Sequence, residues 1–237
     1  MSDLDDLLAL QANDTTADQL RHRRETLPQR SRLVELVQER AAVEAGVVDP
    51  RARRDELARE QLKLEDEIGR IESKRVQVDK QLYGEGLTSP KEAQALQADL
   101  ESLKRRQDFL EEQVLELMEQ IEPLDAELSS ANQALTANST EHEEVTAALA
   151  AAEVDLDAEL ERVAEARSAL VDAVPASLLA EYERLRPQYG GVAVARLDHG
   201  TCQGCFLTLA AAEVDEIRRA PADALLHCPD CGRLLVR

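Results

Sequence analysis

The stretch from Leu96 to Leu124, "LQADLESLKRRQDFLEEQVLELMEQIEPL", repeats its apolar side chains at alternating steps of four and three residues. The alternation continues to Leu170, with polar interruptions such as Asn138 that we expect to set the register. This is the a/d spacing of a coiled-coil helix. Because so long an apolar stripe must be covered by another helix, the sequence predicts a coiled coil.

The covering helix is predicted upstream in the same chain. Residues 57–82 keep the same spacing, and folding the chain back about Leu87 places Leu57 opposite Leu117. Leu87 lies in "YGEGLTSPKE" (Tyr83–Glu92), where two glycines and a proline interrupt the pattern. The sequence therefore favours an antiparallel hairpin within one chain over the alternative, a coiled coil between two chains.

Other positions predict where the helices begin and bend. Serine is favoured at the N-cap of a helix, so Ser89 is the expected N-cap of the returning helix. Asp49 is the expected N-cap after the interruption "GVVDP" at Gly46–Pro50. Pro123 lies opposite that interruption in the folded-back chain, which predicts a kink at this level. The first fifteen residues are expected to fray or to add a short helix.

The composition limits the class of protein. Aromatic residues make up only 2% of the 237 residues, which argues against a large globular core. The chain contains no run of eighteen apolar residues, and its acidic start does not resemble a signal peptide. We therefore expect a cytoplasmic protein that does not enter a membrane.

Charge is distributed unevenly along the chain. The net charge is −20, yet residues 70–106 carry eight basic and six acidic side chains. Residues 128–175 carry ten acidic and two basic side chains, and residues 176–237 carry seven arginines and eight acidic side chains. The acidity argues against extensive nucleic-acid contact, and the basic segment suggests a surface that selects a partner.

Two C-x-x-C pairs near the end of the chain predict a metal site. Its candidate ligands are Cys202, Cys205, Cys228 and Cys231. Two thiols from each tight turn complete a tetrahedron, which suits one structural Zn²⁺; iron is the alternative for the same four sulfurs. His199 and His227 flank the cysteines and are the less favoured alternative ligands. With all four positions filled by protein, no position remains for a reacting water.

Short apolar runs around the cysteines predict strands. "GVAVARL" precedes the first pair and "GRLLVR" follows the second, as in a zinc ribbon. The predicted fold class is mainly α, a long antiparallel coiled-coil hairpin followed by a small β-rich zinc ribbon. The predicted domains are a kinked hairpin at 1–175 with its tip near 83–91, a linker with a short helix at 176–191, and a C4 zinc ribbon at 192–237.

Two motifs carry a resemblance to a known family. The chain resembles bacterial proteins that join a coiled-coil hairpin to a C-terminal C4-type zinc ribbon and are catalogued as nucleic-acid-binding zinc-ribbon proteins. The motifs are the tip, "LYGEGLTSPKEAQALQADLESLKRR", and the end, "GTCQGC…CPDCGRLLV". The resemblance covers essentially the whole chain. It implies a cytoplasmic, non-enzymatic adaptor; some flagellated members are associated with sigma-class transcription factors and with mRNA.

The sequence leads to two hypotheses for function. The first is an adaptor or regulator that binds protein partners, with candidate contacts at Tyr83, Lys91, Arg105 and Arg106, in transcription or RNA-related regulation. The second is RNA or DNA binding by the ribbon, with candidate contacts at Arg196, Arg218, Arg219, Arg233 and Arg237. An enzyme is not expected, because no phosphate-binding loop or catalytic set is present. The aromatic residues Tyr182, Tyr189 and Phe206 are expected to pack at the junction of the two domains.

Overall fold

The structure is a computed structural model that describes residues 3–84, 89–221 and 224–237. The helices are α1 Asp3–Glu25, α2 Pro28–Gly46, α3 Val48–Tyr83, α4 Pro90–Ala173, α5 Ala176–Leu185 and α6 Ala211–Arg219, with a 3-10 turn at Arg186–Tyr189. The strands are β1 Val194–Asp198, β2 Thr201–Cys202, β3 Leu226–His227 and β4 Leu234–Val236. A helical hairpin followed by a small sheet confirms the predicted mainly α fold class.

The chain groups into two compact units. The hairpin unit consists of Leu33–Glu144, and the ribbon unit consists of Met1–Arg32 together with Val145–Arg237. The predicted turn about Leu87 lies outside the described residues. In the described ranges, no helix has a stretch that is both long and apolar enough to cross a lipid bilayer.

In the hairpin unit, α3 and α4 pack against each other in antiparallel fashion. Leu57 packs with Leu117 and Ile121, as the folded-back register predicts. Leu57 and Leu110 are 2% and 1% exposed, so both lie in the core of the hairpin. The apolar stripe is therefore covered by a helix of the same chain, which confirms the hairpin.

A polar side chain interrupts the stripe where α2 meets α4. The Asn138 side-chain amide donates a hydrogen bond of 3.0 Å to the backbone carbonyl of Leu36. Leu36 itself is 1% exposed. A half-buried amide that hydrogen-bonds across the helix pair favours a single helix register. Asn138 thus has the register-setting contact that the sequence predicts.

The helix boundaries differ in part from the predicted ones. α2 ends at Gly46 and α3 begins at Val48, so Asp49 lies in the first turn of α3 and the prediction that Asp49 is the N-cap is wrong. An acidic residue is favourable in a first turn because it faces the positive end of the helix dipole. α4 continues through Pro123, and it begins at Pro90, directly after Ser89.

The ribbon unit contains the N-terminal helix, which is longer and more deeply buried than predicted. α1 extends from Asp3 to Glu25, and Leu7 and Leu10 are completely buried. These two side chains share a core with residues of α5 and of strands β1 and β4. This packing against segments that are distant in the sequence stabilises the first turns of α1, because most helical stability in proteins comes from tertiary packing.

The four strands form one sheet in the order β2-β1-β4-β3. β1 pairs in antiparallel fashion with β2 and in parallel fashion with β4, and β3 pairs with β4 in antiparallel fashion. Cys202 belongs to β2 and Cys228 directly follows β3. The strand order therefore places one cysteine pair beside each of the two outer strands.

Candidate metal centre

Each cysteine pair lies in a tight turn, a zinc knuckle, and the two knuckles have the same backbone hydrogen bonds. In the first, the Phe206 N–H donates to the Cys202 carbonyl at 2.7 Å and the Cys202 N–H donates to the Leu207 carbonyl at 3.0 Å. In the second, the corresponding pairs are Gly232 to Cys228 at 2.8 Å and Cys228 to Arg233 at 2.8 Å. The ribbon thus contains one turn geometry twice.

The four sulfur atoms converge on one point. All four Sγ atoms lie within 4.8 Å of one another, and those of Cys205 and Cys228 are 3.9 Å apart. Four thiolates about 2.3 Å from a zinc ion at the corners of a tetrahedron are separated by about 3.8 Å. No cysteine forms a disulfide. The four cysteines therefore fit a single tetrahedral zinc site, which confirms the predicted cofactor.

Burial and hydrogen bonding act differently on the four thiols. Burial raises the pKa of the Cys228 thiol to about 12. Burial acts in the same direction on Cys231, but hydrogen bonds from the backbone N–H and guanidinium of Arg233 lower the pKa of this thiol to about 7. A cation binds the thiolate form, so the proton of Cys228 must leave when the site is loaded. When bound, zinc supplies a cross-link between the two knuckles.

Glycine is required where the knuckles approach their surroundings. A Cβ atom on Gly204 would lie 2.6 Å from Cδ of Arg233 and 2.9 Å from Cβ of Ala195. Gly232 has a φ of +75°, and a Cβ there would lie 2.5 Å from the Tyr189 hydroxyl. A larger residue at position 204 would push the first knuckle away from Ala195, and one at position 232 would adopt a strained backbone and displace the Tyr189 side chain.

α1 is held against the ribbon by buried polar contacts. The Gln11 side chain donates to the Val194 carbonyl at 2.8 Å and accepts from the Val194 N–H at 2.7 Å. Gln11 is 9% exposed and Val194 is 1% exposed. The amide of Gln11 thus pairs with the first residue of β1 in the way that a neighbouring strand would.

Asp14, one helical turn further along α1, is the centre of a second buried group. It is 3% exposed and accepts hydrogen bonds from the Tyr182 hydroxyl at 2.9 Å and from Nε of Arg167 at 2.7 Å. Nε of Arg186 lies 3.6 Å from the same carboxylate. Arg167 also pairs with Glu183. Asp14 therefore connects α1, α4, α5 and the 3-10 turn.

Gln11, Asp14, Arg167 and Arg186 were not predicted from the sequence as positioning residues. A usable signal exists, because Gln11 and Asp14 follow Leu7 and Leu10 at helical spacing and so share their face of α1. That face becomes a core face only when the ribbon packs on it. The sequence does not contain that packing as a local pattern.

Most of the arginines predicted to contact nucleic acid make contacts inside the ribbon unit. Arg196 pairs with Asp5 at 2.9 Å, and Arg219 lies 3.6 Å from Asp215. Arg233 donates to the Val192 carbonyl at 2.8 Å and lies over the Tyr189 ring.

Arg237 donates to the carbonyls of Ile217 and Ala220, at the end of α6. Arg218 lies on α6 and is exposed. Arg233 lowers the pKa of the Cys231 thiol, so its guanidinium favours the thiolate that a zinc ion binds.

The residues predicted to contact a protein partner lie in the hairpin unit. Tyr83, the last residue of α3, is 78% exposed, and Lys91 in the first turn of α4 is also exposed. The side chain of Arg105 is 72% exposed. Arg106 pairs with Glu67 at 2.9 Å.

The three aromatic residues expected at the domain junction differ in burial. Tyr182 is completely buried and Tyr189 is half-buried. Phe206 is 74% exposed, so the expectation that it packs is wrong. It is not among the residues that form the small cluster around the sulfurs. His199 is also exposed, with 96% of its side chain in solvent, and is not part of the metal cluster.

The fold and the site define a class, the coiled-coil hairpin proteins that carry a four-cysteine zinc ribbon. Residues 10–190 match the family described as the CT398-like coiled coil hairpin domain, and residues 201–235 match the C4-type zinc ribbon domain. The chain belongs to the CT398-like coiled-coil hairpin family.

Known proteins resemble the chain along almost all of its length. "Uncharacterized protein Rv2229c" of Mycobacterium tuberculosis is 33% identical over 98% of this chain and 94% of its own. A solved structure from Mycobacterium smegmatis has a TM-score of 0.78 with 31% identity and covers 100% of this chain and 97% of its own. CT398 of Chlamydia trachomatis has a TM-score of 0.59 with 20% identity, over 98% and 96% of the two chains, which shows a shared fold. None of these descriptions indicates an enzyme.

Proposed function

We propose that this protein is a non-enzymatic adaptor of the cytoplasm that binds protein partners through the end of its hairpin and through its ribbon. The observation that carries the proposal is Tyr83, a large amphipathic side chain at the end of α3 with 78% of its surface in solvent. An aromatic residue in that position adds little to packing within the chain. Tyrosine is also enriched among the residues that dominate protein–protein interfaces.

The charges of the segment that contains Tyr83 support a partner with an acidic surface. Residues 70–106 are the basic segment of an otherwise acidic chain. Lys91 is exposed, and the ion pair described for Arg105 is a 3.9 Å contact with Glu101 at the surface. Surface pairs of this kind contribute little to stability, so such cations stay available for a partner.

The metal centre supports a structural role for the ribbon rather than a catalytic one. Four cysteine sulfurs satisfy the tetrahedral coordination of zinc, and catalytic zinc keeps one position open for water or substrate. The site therefore fixes the shape of a binding surface. A cluster of cysteines that bind a metal and form no disulfide is typical of a reducing compartment, and this supports a cytoplasmic location.

Crosslinking affinity purification of the full chain, with and without nuclease, tests the adaptor. We expect Tyr83→Ser combined with Lys91→Glu to reduce recovery of specific partners at least tenfold. Val48→Ser is the matched control, because Val48 is an exposed apolar residue of the same helix α3. If the Tyr83 and Lys91 changes and a metal-free ribbon variant all recover the same proteins as the unaltered chain, the adaptor function is wrong.

Nucleic-acid binding by the ribbon is the second candidate, in a context of transcription or RNA-related regulation. Its support is Arg218, an exposed arginine on α6. The contacts of Arg196, Arg233 and Arg237 within the chain weigh against it, since phosphate binding needs free cations. We expect weak, salt-sensitive binding of labelled RNA or DNA that Arg218→Glu weakens further. A flat titration at low salt would exclude this candidate.

A further inference from the structure

The residue that follows the second cysteine of each knuckle has the same unusual backbone conformation. Phe206 has a φ of +62° and Gly232 has a φ of +75°. Only glycine adopts this region without a steric penalty, and a bulky side chain there is a true outlier. The second knuckle has the residue that its geometry prefers, whereas the first knuckle has a phenylalanine.

The two equivalent positions also differ in what covers them. Tyr189 covers the second knuckle, since its hydroxyl would be 2.5 Å from a Cβ at position 232. The guanidinium of Arg233 lies 4.9 Å from the centre of the same ring. In the first knuckle, Phe206 and Leu207 are 74% and 52% exposed. The chain therefore covers one knuckle and leaves the other with an apolar pair in solvent.

Fold stability does not account for phenylalanine at position 206. The backbone penalty is unfavourable, and an exposed ring gains little from burial to offset it. Glycine would satisfy the turn, as it does at position 232. A strained residue with an exposed aromatic side chain is the combination that marks a ligand contact.

The charges of the ribbon decide which kind of macromolecule this contact suits. Residues 176–237 carry seven arginines and eight acidic side chains, and Arg196, Arg233 and Arg237 make contacts within the chain. The exposed Arg218 and Arg219 lie on α6 among the acidic residues Glu213, Asp215 and Glu216, so they do not form a basic groove. Single-stranded nucleic acid needs a basic groove beside its stacking platform. A phenylalanine and a leucine without that groove match the apolar anchor of a protein interface.

We propose that Phe206 and Leu207 are an apolar anchor that inserts into an apolar pocket of a partner protein. The partner covers the first knuckle as Tyr189 covers the second. This anchor is the ribbon contact of the adaptor, and it rests on the proposed function.

The test begins with a photoreactive benzoylphenylalanine at position 206 of the full chain, expressed in cells that carry the gene. The same group at Val48 is the control for non-specific crosslinking. The crosslinked protein is then purified and titrated against the unaltered chain and against Phe206→Gly and Leu207→Ser. We expect each variant to weaken binding at least tenfold while zinc content is unchanged and the melting temperature of Phe206→Gly is equal or higher.

His199→Gly is the matched control for backbone strain. His199 is the other described non-glycine residue with a positive φ, +47°, and it is exposed. Replacing it relieves a similar strain without removing apolar surface, so we expect unchanged partner binding.

Three results would overturn the anchor: no protein crosslinked at position 206 above the Val48 control, a crosslinked nucleic acid, or a partner that binds Phe206→Gly as tightly as the unaltered chain. If partner binding is lost on metal removal but kept in Phe206→Gly, the adaptor function stands and the anchor is wrong. If the Tyr83, Phe206 and metal-free variants all keep every partner, both proposals fail.

Discussion

At the scale of the residue, a few buried polar atoms determine how the ribbon unit is held together. Cys228 is 1% exposed and Asp14 is 3% exposed, so each needs its partners to offset the loss of water. Cys228 needs three other sulfurs and a metal. Asp14 has a hydroxyl and two guanidinium groups within reach. Replacing one member of either group removes a partner from a buried polar atom, and the lost contact costs free energy because water does not replace it.

We expect Cys228→Ser to reduce bound zinc from one ion per chain to nearly none. Structural zinc contributes about 10–16 kcal/mol in zinc-finger peptides, which exceeds what so small a sheet gains from its core. Plasma mass spectrometry measures the metal, and limited proteolysis reports the fold of the ribbon. Gln203→Ser, in the exposed part of the first knuckle, should keep its zinc. A Cys228→Ser protein with full zinc content would contradict the assignment.

The buried hydroxyl of Tyr182 predicts that the free energy of unfolding declines at alkaline pH. Burial, followed by the hydrogen bond to Asp14, raises the pKa of Tyr182. Its contribution to stability is therefore fully present below the unfolded pKa of about 10 and is lost as pH rises above it. We expect Tyr182→Phe to reduce the decline of unfolding free energy between pH 9 and pH 11 by up to about 1.4 kcal/mol per pH unit.

The control for the alkaline effect is Tyr83→Phe. Tyr83 is 78% exposed, so removing its hydroxyl leaves no buried polar group without a partner. Chemical denaturation at each pH measures both variants. Equal slopes for the unaltered chain and Tyr182→Phe would contradict the role of the buried hydroxyl.

At the scale of the element, the hairpin depends on the apolar seam between α3 and α4. Exposed ion pairs flank this seam. In one of them, Arg54 lies 2.9 Å from Asp125, and the two side chains are 40% and 50% exposed. Pairs this exposed contribute about 0–1 kcal/mol each. The seam therefore carries most of the stability of the hairpin, and its residues should be the sensitive ones.

Two leucines of α4 allow the seam and the surface of the hairpin to be compared. Leu110 is 1% exposed and Leu115 is 60% exposed. We expect Leu110→Ala to lower the unfolding free energy by about 2–5 kcal/mol, because it leaves a cavity in the seam. Leu115→Ala should change it by less than about 0.5 kcal/mol. Thermal and chemical unfolding followed by circular dichroism compares them, and similar losses in both variants would contradict the register.

At the scale of the whole molecule, the two ends of the chain meet in one unit. α1 contributes Leu7 and Leu10 to the same core as Val194 and Leu234. The ribbon is therefore not a separate appendage on a flexible linker, because the N-terminal helix supplies part of its core. Truncating or altering α1 should affect the ribbon although the two are far apart in sequence.

Gln11→Ala tests this connection with a single side chain. The change removes two hydrogen bonds and leaves the buried N–H and carbonyl of Val194 unpaired, at a cost of about 1–3 kcal/mol. We expect faster hydrogen exchange in the peptide that contains β1, measured by mass spectrometry. Gln133→Ala, at an exposed position of α4, is the control. Unchanged protection of β1 would show that α1 does not hold the strand.

Much of the hairpin and all of the metal cluster could be predicted from local patterns. Heptad spacing specifies which residues of α4 form a seam, and the mirror register specifies their partners on α3. Two C-x-x-C pairs specify four thiols in two tight turns. Asp49 shows the limit of such reasoning, since the first turn of a helix and the position before it both favour acidic residues.

The sequence by itself determined the helical class, the antiparallel pairing and the four zinc ligands, because each depends on residue types at short, regular spacings. Only the tertiary structure decided that α1 packs on the ribbon and that Asp14 and Gln11 are buried. It also decided that Tyr189 covers one knuckle while Phe206 stays in solvent. These features depend on which surfaces pack together in the folded chain. The free energy of burying a polar group depends on the hydrogen-bond partners that this packing supplies, and not on the residues beside it in the sequence.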